Sequence, residues 1–270
     1  MKTNQSSHRP IVPSSVVLMG VKFTHLTLNG VVEAVALRIA KREYARPLTV
    51  FTPNVEQLMQ TREEKAFLRD LMAADITIPD SIGLTLADWW RAACTGKEWL
   101  IRERVAGSGV AEELIFKASN RGWKVVLVGG MDSVAEKAGN NLKKRFSGLE
   151  VYAVEAGEVG EARDDSDDET IQKTRCIREI NKIKPDLLLV GFGAPKQERW
   201  VLRNRSKLQA QVVMVVGGTL DGWADKVKRA PMWWRKIGFE WLWRLMQEPW
   251  RINRQLRLVR FVGAVVRGKW

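Results

Sequence analysis

Three continuous apolar runs, each closed by glycine, constrain the fold of this 270-residue chain more than any other feature. They are WKVVLVGG (123–130), PDLLLVGFG (185–193) and QVVMVVGG (211–218). Apolar runs without polar alternation are typical of strands that are buried on both faces of a parallel sheet. The segments between the runs have helical periodicity. This alternation predicts an α/β fold, Rossmann-like, with a mostly parallel sheet and flanking helices.

Two shorter strands are predicted upstream, and polar residues follow each of them. RPLTVFTPN (46–54) reads as a strand ending in a turn, and DITIPDSIG (75–83) reads as a short strand and a loop. Ligands of parallel sheets bind beyond the carboxyl ends of the strands. Thr52, Asn54 and Asp80 are therefore candidate site residues. Turn and cap chemistry is the alternative, because Asn and Asp are good residues to begin a helix.

The stretch GFGAPKQERW (191–200) follows the second apolar run. Pro195 suits the start of a helix, and Gln197 falls in the first turn of that helix. The pair Gly191 and Gly193 lacks the third glycine of a dinucleotide loop, since Lys196 stands in its place. The sequence thus disfavours a nicotinamide-dependent oxidoreductase, and it contains no P-loop pattern.

Metal and disulfide chemistry have little support in the sequence. Cys94 and Cys176 form no disulfide framework and suggest a reducing compartment. The two cysteines and two histidines are widely spread and give no zinc spacing. The acidic run Asp164–Asp168 reads as a solvated loop rather than a cation site. We therefore expect no metal and no cofactor.

Basic charge is concentrated in the last 45 residues. Residues 226–270 contain 12 Lys/Arg and two acids, which gives +10 of the net +13 of the whole chain. Tryptophan with Arg/Lys suits an anionic membrane surface; a helix buried in a homo-oligomer is the alternative. Nucleic acid is not an expected partner, because no nucleic-acid motif accompanies the charge. Read as one helix, the segment has two apolar stripes on opposite sides, Trp234–Ile237–Trp241–Leu245 and Phe239–Trp243–Met246–Trp250.

These features predict three regions along the chain. Residues 1–20 read as a polar leader, 21–228 as the α/β catalytic domain, and 229–270 as a membrane-associating appendage that completes the active site. The chain contains no apolar run long enough to span a membrane.

Seven motifs, in order between residues 21 and 260, resemble the WecG/TagA/CpsF family of bacterial glycosyltransferases, glycosyltransferase family 26. The resemblance implies inverting, metal-independent transfer of an N-acetylmannosamine-type or glucose-type sugar from a UDP-sugar. The implied acceptor is a polyprenyl-diphosphate-linked saccharide in cell-surface polysaccharide synthesis. The implied location is cytoplasmic, peripheral on the inner face of the cell membrane. The motifs are TPN, IPDSIG, RERVAGS, VLVGG, GFGAPKQE, VGGTLDGWADKVKRAP and EWLWRLMQEPWR.

The resemblance also implies roles for individual residues. Asp80 matches the family's proposed catalytic base. Arginines can neutralise the diphosphate leaving group in place of a metal, because they are always charged and bind bidentately. The residues that match the family's substrate-binding positions are Thr52, Asn54, Arg104, Gln197, Asp221, Arg244, Arg251 and Arg254.

Three features depart from the family pattern. Ser81 replaces the usual glycine, Gly109 stands where an aspartate is common, and the link from Asp80 to Arg104 is several residues longer. These departures bear on sugar or acceptor preference more than on the reaction class. The alternative function is a non-catalytic, basic nucleotide- or nucleic-acid-binding α/β protein.

Overall fold

The computed structural model describes residues 14–42, 45–129, 133–155, 167–226, 231, 234, 240–247 and 252–270. Within these ranges, it does not describe the side chains of residues 167–174, 240, 241, 244 and 252–255.

A six-stranded sheet forms the centre of the protein, and every neighbouring pair of its strands is parallel. This confirms the predicted α/β fold. The apolar residues 187–190 and 212–215, in two neighbouring central strands, are all buried. This burial is expected for a parallel sheet that is covered on both faces. The strands are β3 (Leu48–Phe51), β4 (Ile76–Thr77), β5 (Lys124–Gly129), β6 (Glu150–Val154), β7 (Leu187–Gly191) and β8 (Val212–Val215), in the spatial order β4-β3-β8-β7-β5-β6.

Helices cover both faces of the sheet, and adjacent strand residues face opposite layers. In β5, for example, Val125 packs in one hydrophobic cluster and Val126 in the other. The segment after β3 forms two helices that meet at Glu64. The helices are α1 (Leu28–Lys41), α2 (Val55–Glu63), α3 (Lys65–Met72), α4 (Ile82–Thr95), α5 (Gly107–Arg121), α6 (Val134–Arg145), α7 (Asp167–Ile183), α8 (Lys196–Asn204), α9 (Thr219–Trp223), α10 (Glu240–Gln247) and α11 (Ile252–Val266).

A small antiparallel hairpin precedes the sheet. Its strands are β1 (Ser15–Leu18) and β2 (Val21–Thr24), and Val16 pairs with Phe23. Leu18 is buried in the same hydrophobic cluster as Phe23. The structure thus places β1 within the region that the sequence analysis assigned to a polar leader. A four-residue strand with two buried side chains gives too short a pattern to stand out in the sequence.

The glycines at the strand ends allow neighbouring backbones to approach one another. A Cβ atom on Gly129, whose φ is +120°, would lie 2.6 Å from the carbonyl oxygen of Gly191. A Cβ on Gly191 would lie 2.8 Å from the carbonyl oxygen of Gly217. Side chains at these positions would push apart the ends of β5, β7 and β8.

The last helix packs on the α/β core. Phe261, Ala264 and Val265 of α11 are buried, and α11 contacts α2 and α4. The Trp234 and Trp243 rings lie 5.7 Å apart, centroid to centroid. Two residues nine apart in one straight helix would be separated by about 13.5 Å along its axis. The prediction of one helix with these residues in opposite stripes is therefore wrong for this pair.

Within the described residues, no helix has the length and hydropathy needed to cross a bilayer.

Candidate active site

Four neighbouring strands carry the predicted site residues at their carboxyl ends. Asp80 follows β4, Thr52 and Asn54 follow β3, Asp221 lies in the helix after β8, and Gln197 lies in the helix after β7. Because these strands are adjacent in the order β4-β3-β8-β7, their loops share one edge of the sheet. Strand order therefore brings together residues that are far apart in sequence.

The loops after β3 and β4 run side by side and fix the position of Asp80. The amide of Ile78 donates to the carbonyl of Phe51 at 2.9 Å, and the amide of Asp80 donates to the carbonyl of Pro53 at 3.2 Å. The backbone pairing of the two strands thus continues into the loops, where it places Asp80 beside the TPN segment.

The Asp80 carboxylate is held by a guanidinium and a backbone amide. Its Oδ1 accepts from Arg104 Nε at 3.1 Å and from Arg104 Nη2 at 2.9 Å, and its Oδ2 accepts from the Gly107 amide at 3.0 Å. Both side chains of the ion pair are about one-fifth exposed. A cation and hydrogen-bond donors favour the ionised form of a carboxylate. The contacts therefore present Asp80 as a carboxylate, the form in which it can accept a proton.

The longer link between Asp80 and Arg104 is organised by a buried ion pair on α4. Asp88 binds Arg91, and Asp88 Oδ2 accepts from the amides of Leu100 and Ile101 at 2.8 and 2.7 Å. These bonds fold the extra residues back onto α4. The chain then returns to the Asp80 loop, where the extra length still allows Arg104 to reach Asp80.

The two other departures from the family pattern have local structural roles. The Ser81 hydroxyl caps α4 by accepting from the Gly83 amide at 3.2 Å. A Cβ on Gly109 would lie 3.2 Å from Leu28 of α1. A side chain at position 109 would therefore meet α1.

Gly107, in the RERVAGS motif, lies directly against Thr52. A Cβ at Gly107 would lie 2.9 Å from the Thr52 Cβ. Glycine thus allows the start of α5 to approach Thr52 while the Gly107 amide donates to Asp80.

Cap chemistry accounts for part of the TPN motif. Asn54 begins α2 in a reciprocal capping box: Asn54 Oδ1 accepts from the Gln57 amide at 3.0 Å, and Gln57 Oε1 accepts from the Asn54 amide at 2.9 Å. The alternative interpretation of Asn54 as a helix cap is therefore confirmed. A cap at a strand end also fixes the loop that carries Thr52.

Glu198 is a site residue that sequence reasoning missed. It is 1% exposed, and its Oε1 accepts from Gln197 Nε2 at 2.9 Å and from Gln57 Nε2 at 3.4 Å. Gln197 Oε1 in turn accepts from the Gly217 amide at 3.1 Å. Glu198 thus joins α8 to α2 and, through Gln197, to the loop after β8. In the sequence it resembles an ordinary acid in the first turn of a helix, which is common for electrostatic reasons.

Burial raises the pKa of Glu198 to about 7, against the opposing effect of the Gln197 hydrogen bond. A glutamate in an unfolded chain has a pKa of about 4.3. Between these values the folded protein keeps a proton that the unfolded chain releases. The free energy of unfolding should therefore fall as pH rises through this window, by roughly 4 kcal/mol at most.

Glu198→Gln is expected to remove this dependence, because glutamine does not ionise. Urea unfolding at about pH 5 and about pH 8 should show that the variant gains stability relative to wild type at the higher pH. Glu136→Gln, at an exposed acid on α6, serves as the control and should follow the wild-type pH dependence. A wild type and a Glu198→Gln variant with the same pH dependence would contradict a buried, protonated Glu198.

Several predicted residues lie outside the description. Arg251 and residues 164–166 of the acidic run belong to undescribed segments, and the side chains of Arg244, Arg254 and residues 167–168 are also outside it. Their roles stay predictions. In the part of the chain that is described, no group of three or more His, Cys, Asp or Glu residues is arranged to hold a metal ion.

Comparison with known proteins agrees with the resemblance. The Glycosyl transferase WecG/TagA/CpsF family model matches residues 16–270. Similar proteins from Staphylococcus aureus strains MW2, MRSA252 and NCTC 8325 are each named N-acetylglucosaminyldiphosphoundecaprenol N-acetyl-beta-D-mannosaminyltransferase. Each is 28% identical over 256 residues, which cover 95% of this chain and 94% of the relative. Because the family model covers most of the chain, including all four loops at the carboxyl edge, the protein belongs to the WecG/TagA/CpsF family of glycosyl transferases.

Proposed function

We propose that the protein transfers a sugar from a UDP-sugar to a polyprenyl-diphosphate-linked saccharide in the synthesis of a bacterial cell-surface polysaccharide. The observation that carries the proposal is the placement of the Asp80 carboxyl group, which Arg104 and Gly107 hold at the carboxyl edge of the sheet. Family membership and the names of the relatives support the reaction class and the substrates.

Asp80 is proposed as the general base. Its carboxylate takes the proton of the acceptor hydroxyl as that oxygen attacks the anomeric carbon of the donor. The bond from the anomeric carbon to the diphosphate breaks, and UDP leaves with the electron pair. Attack from the face opposite UDP inverts the anomeric centre, so that an α-linked donor gives a β-linked product.

Arg104 is proposed to serve both Asp80 and the donor. Negative charge grows on the diphosphate as the bond breaks, and a guanidinium can neutralise it through bidentate hydrogen bonds. We propose that the tail residues Arg244, Arg251 and Arg254 contribute in the same way.

Thr52, Asn54, Gln197 and Asp221 are proposed to bind the donor. Hydroxyl and amide groups can select sugar hydroxyls without adding charge, and Asp221 can accept hydrogen bonds from them. The Glu198 network keeps Gln197 oriented toward the loop after β8.

The proposed location is the cytoplasmic face of the cell membrane, where a peripheral enzyme meets a lipid-linked acceptor. The basic tail supports this location, because anionic lipids attract each nearby basic residue by about 1 kcal/mol. A homo-oligomer is compatible with the same tail.

Activity is expected to survive an excess of EDTA, because arginines supply the positive charge that a divalent cation would otherwise supply. The measurement is UDP release with and without the chelator. Complete loss that Mg²⁺ or Mn²⁺ restores would contradict the metal-independent mechanism and would direct attention to Asp164–Asp168.

A donor screen tests the proposed function. Purified protein is mixed with single UDP-sugars and a short-chain GlcNAc-diphosphate-lipid acceptor, and mass spectrometry detects the product. The names of the relatives favour UDP-N-acetylmannosamine as the productive donor, with UDP-glucose and the N-acetylmannosamine uronic acid donor as comparisons. Tight binding of single-stranded RNA, with neither UDP binding nor transfer, would contradict the proposal and favour a non-catalytic binding protein.

A further inference from the structure

Helix α4 buries its charged residues together with Leu84 and Ala87, and it exposes large apolar side chains. Its two charged residues, Asp88 and Arg91, are both buried. Its outer face is apolar: Leu86 is 58% exposed, Trp89 48% and Trp90 37%. A surface helix ordinarily buries its apolar stripe and exposes its charges. Side chains of this size, exposed together on one helix face, mark an interaction site.

The buried charges of α4 have an internal role. Asp88 and Arg91 bind each other and hold the loop that leads back to Arg104. The charged side chains of α4 thus point toward the interior of the protein. The outer face contains apolar residues at the spacing of successive helical turns, namely Ile82, Leu86, Trp89 and Trp90. The internal role of the ion pair does not require an apolar outer face.

Helix α11 lies next to α4 and also exposes apolar residues. A Cβ on Gly83 of α4 would lie 3.7 Å from Phe261 of α11, so the two helices are in direct contact. We name the exposed apolar residues of the two helices the α4–α11 surface. They are Ile82, Leu86, Trp89 and Trp90 of α4, with Leu256, Val259, Val262 and Val266 of α11.

The charge around the α4–α11 surface favours an anionic partner. Residues 252–270 contain five Arg/Lys and no acid. Arg260, Arg267 and Lys269 are exposed. Arg260 and Arg257 share the Glu63 carboxylate of α2, at 3.5 and 3.0 Å, so Arg267 and Lys269 add net positive charge beside the apolar residues of α11. Exposed tryptophans combined with basic residues suit the interface of an anionic bilayer, where indole rings sit at the level of the headgroups.

We propose that the α4–α11 surface docks the protein on an anionic lipid bilayer. The inference rests on the proposed function, in which the acceptor is linked to a lipid. Asp80 lies two residues before α4 begins, so docking through α4 brings the loop of the proposed base to the membrane. The face thus joins bilayer binding to delivery of the acceptor hydroxyl.

The test is co-sedimentation with vesicles of equimolar phosphatidylcholine and phosphatidylglycerol. The triple variant Leu86→Ser, Trp89→Ser, Trp90→Ser should bind at least about tenfold more weakly than wild type, because about 1.4 kcal/mol of lost apolar burial has that effect. Turnover of a water-soluble acceptor should stay within about twofold. Leu86→Glu alone, which keeps both indole rings, should also weaken vesicle binding. This single variant tests the same surface if the triple variant does not fold.

The matched control removes exposed apolar residues from the opposite layer. Leu37 of α1 and Phe116 of α5 are 57% and 52% exposed, and Leu37→Ser with Phe116→Ser should leave vesicle binding unchanged. Unchanged binding of the triple variant and of Leu86→Glu would overturn the proposal. The proposal would also be overturned if light scattering showed that wild type is a dimer and that these substitutions dissociate it without changing vesicle binding.

The outcome is separable from that of the proposed function. Vesicle binding that depends on Leu86, Trp89 and Trp90, in a protein that turns over no UDP-sugar, would support the docking surface and contradict the enzyme. Turnover of soluble acceptor, together with vesicle binding that does not depend on these three residues, would support the enzyme and contradict the docking surface.

Discussion

Replacement of Asp80 by asparagine is expected to lower turnover by at least about 100-fold, because removal of a general base typically costs that much or more. Asparagine Oδ1 can still accept from Arg104, so Arg104 keeps its position, whereas the side-chain amide nitrogen that replaces Oδ2 can no longer accept from the Gly107 amide. The affinity for UDP should therefore change little. The measurements are steady-state turnover on a water-soluble acceptor and UDP titration by calorimetry.

Asp75→Asn provides a matched control for the loss of an aspartate–arginine pair. Asp75 precedes β4, at the opposite edge of the sheet, and binds Arg46 through two hydrogen bonds of 2.8 and 2.7 Å. Its replacement should reduce stability and leave turnover per folded molecule near normal. A folded Asp80→Asn protein with near-normal turnover would remove Asp80 from the mechanism.

Arg251→Ala is expected to lower turnover of a water-soluble acceptor by about 100-fold, the effect of losing one donor to a developing negative charge. Use of a soluble acceptor separates catalysis from membrane binding. Arg267→Ala removes the same charge from the exposed end of the chain and should leave this turnover unchanged. Equal turnover of Arg251→Ala and wild type would contradict a tail that completes the active site.

The tail should be tested by point substitutions rather than by deletion. Removal of residues 231–270 would remove Phe261 and Val265 of α11, which are buried against the core. Loss of activity in such a truncated protein would therefore not distinguish a missing arginine from a disturbed core.

The central strands were predictable because burial on both faces leaves a continuous apolar signal. This holds for β7 and β8, whose apolar residues are all buried. Edge strand β6 was missed, because Tyr152 and its neighbour Ala153 are exposed and interrupt the run. A strand with an uninterrupted buried run is thus easier to identify from local pattern than a strand such as β6, whose exposed residues interrupt the run.

The site was predictable in part. Strand ends identified Thr52, Asn54 and Asp80, but the order β4-β3-β8-β7, which assembles them with Gln197, depends on pairings between distant segments. The contact between Asp80 and Arg104 spans 24 residues of sequence and follows from the fold of the intervening loop. The buried states of Asp88 and Glu198 were also not predictable, because charged residues in helices ordinarily face solvent.

A crystal structure of the protein with UDP would test the location of the active site most directly. The diphosphate is expected to lie beyond the carboxyl ends of β3, β4, β7 and β8, within hydrogen-bond reach of Arg104 and beside the Asp80 carboxylate. UDP bound at the amino edge of the sheet, or away from Arg104 and Asp80, would contradict this location.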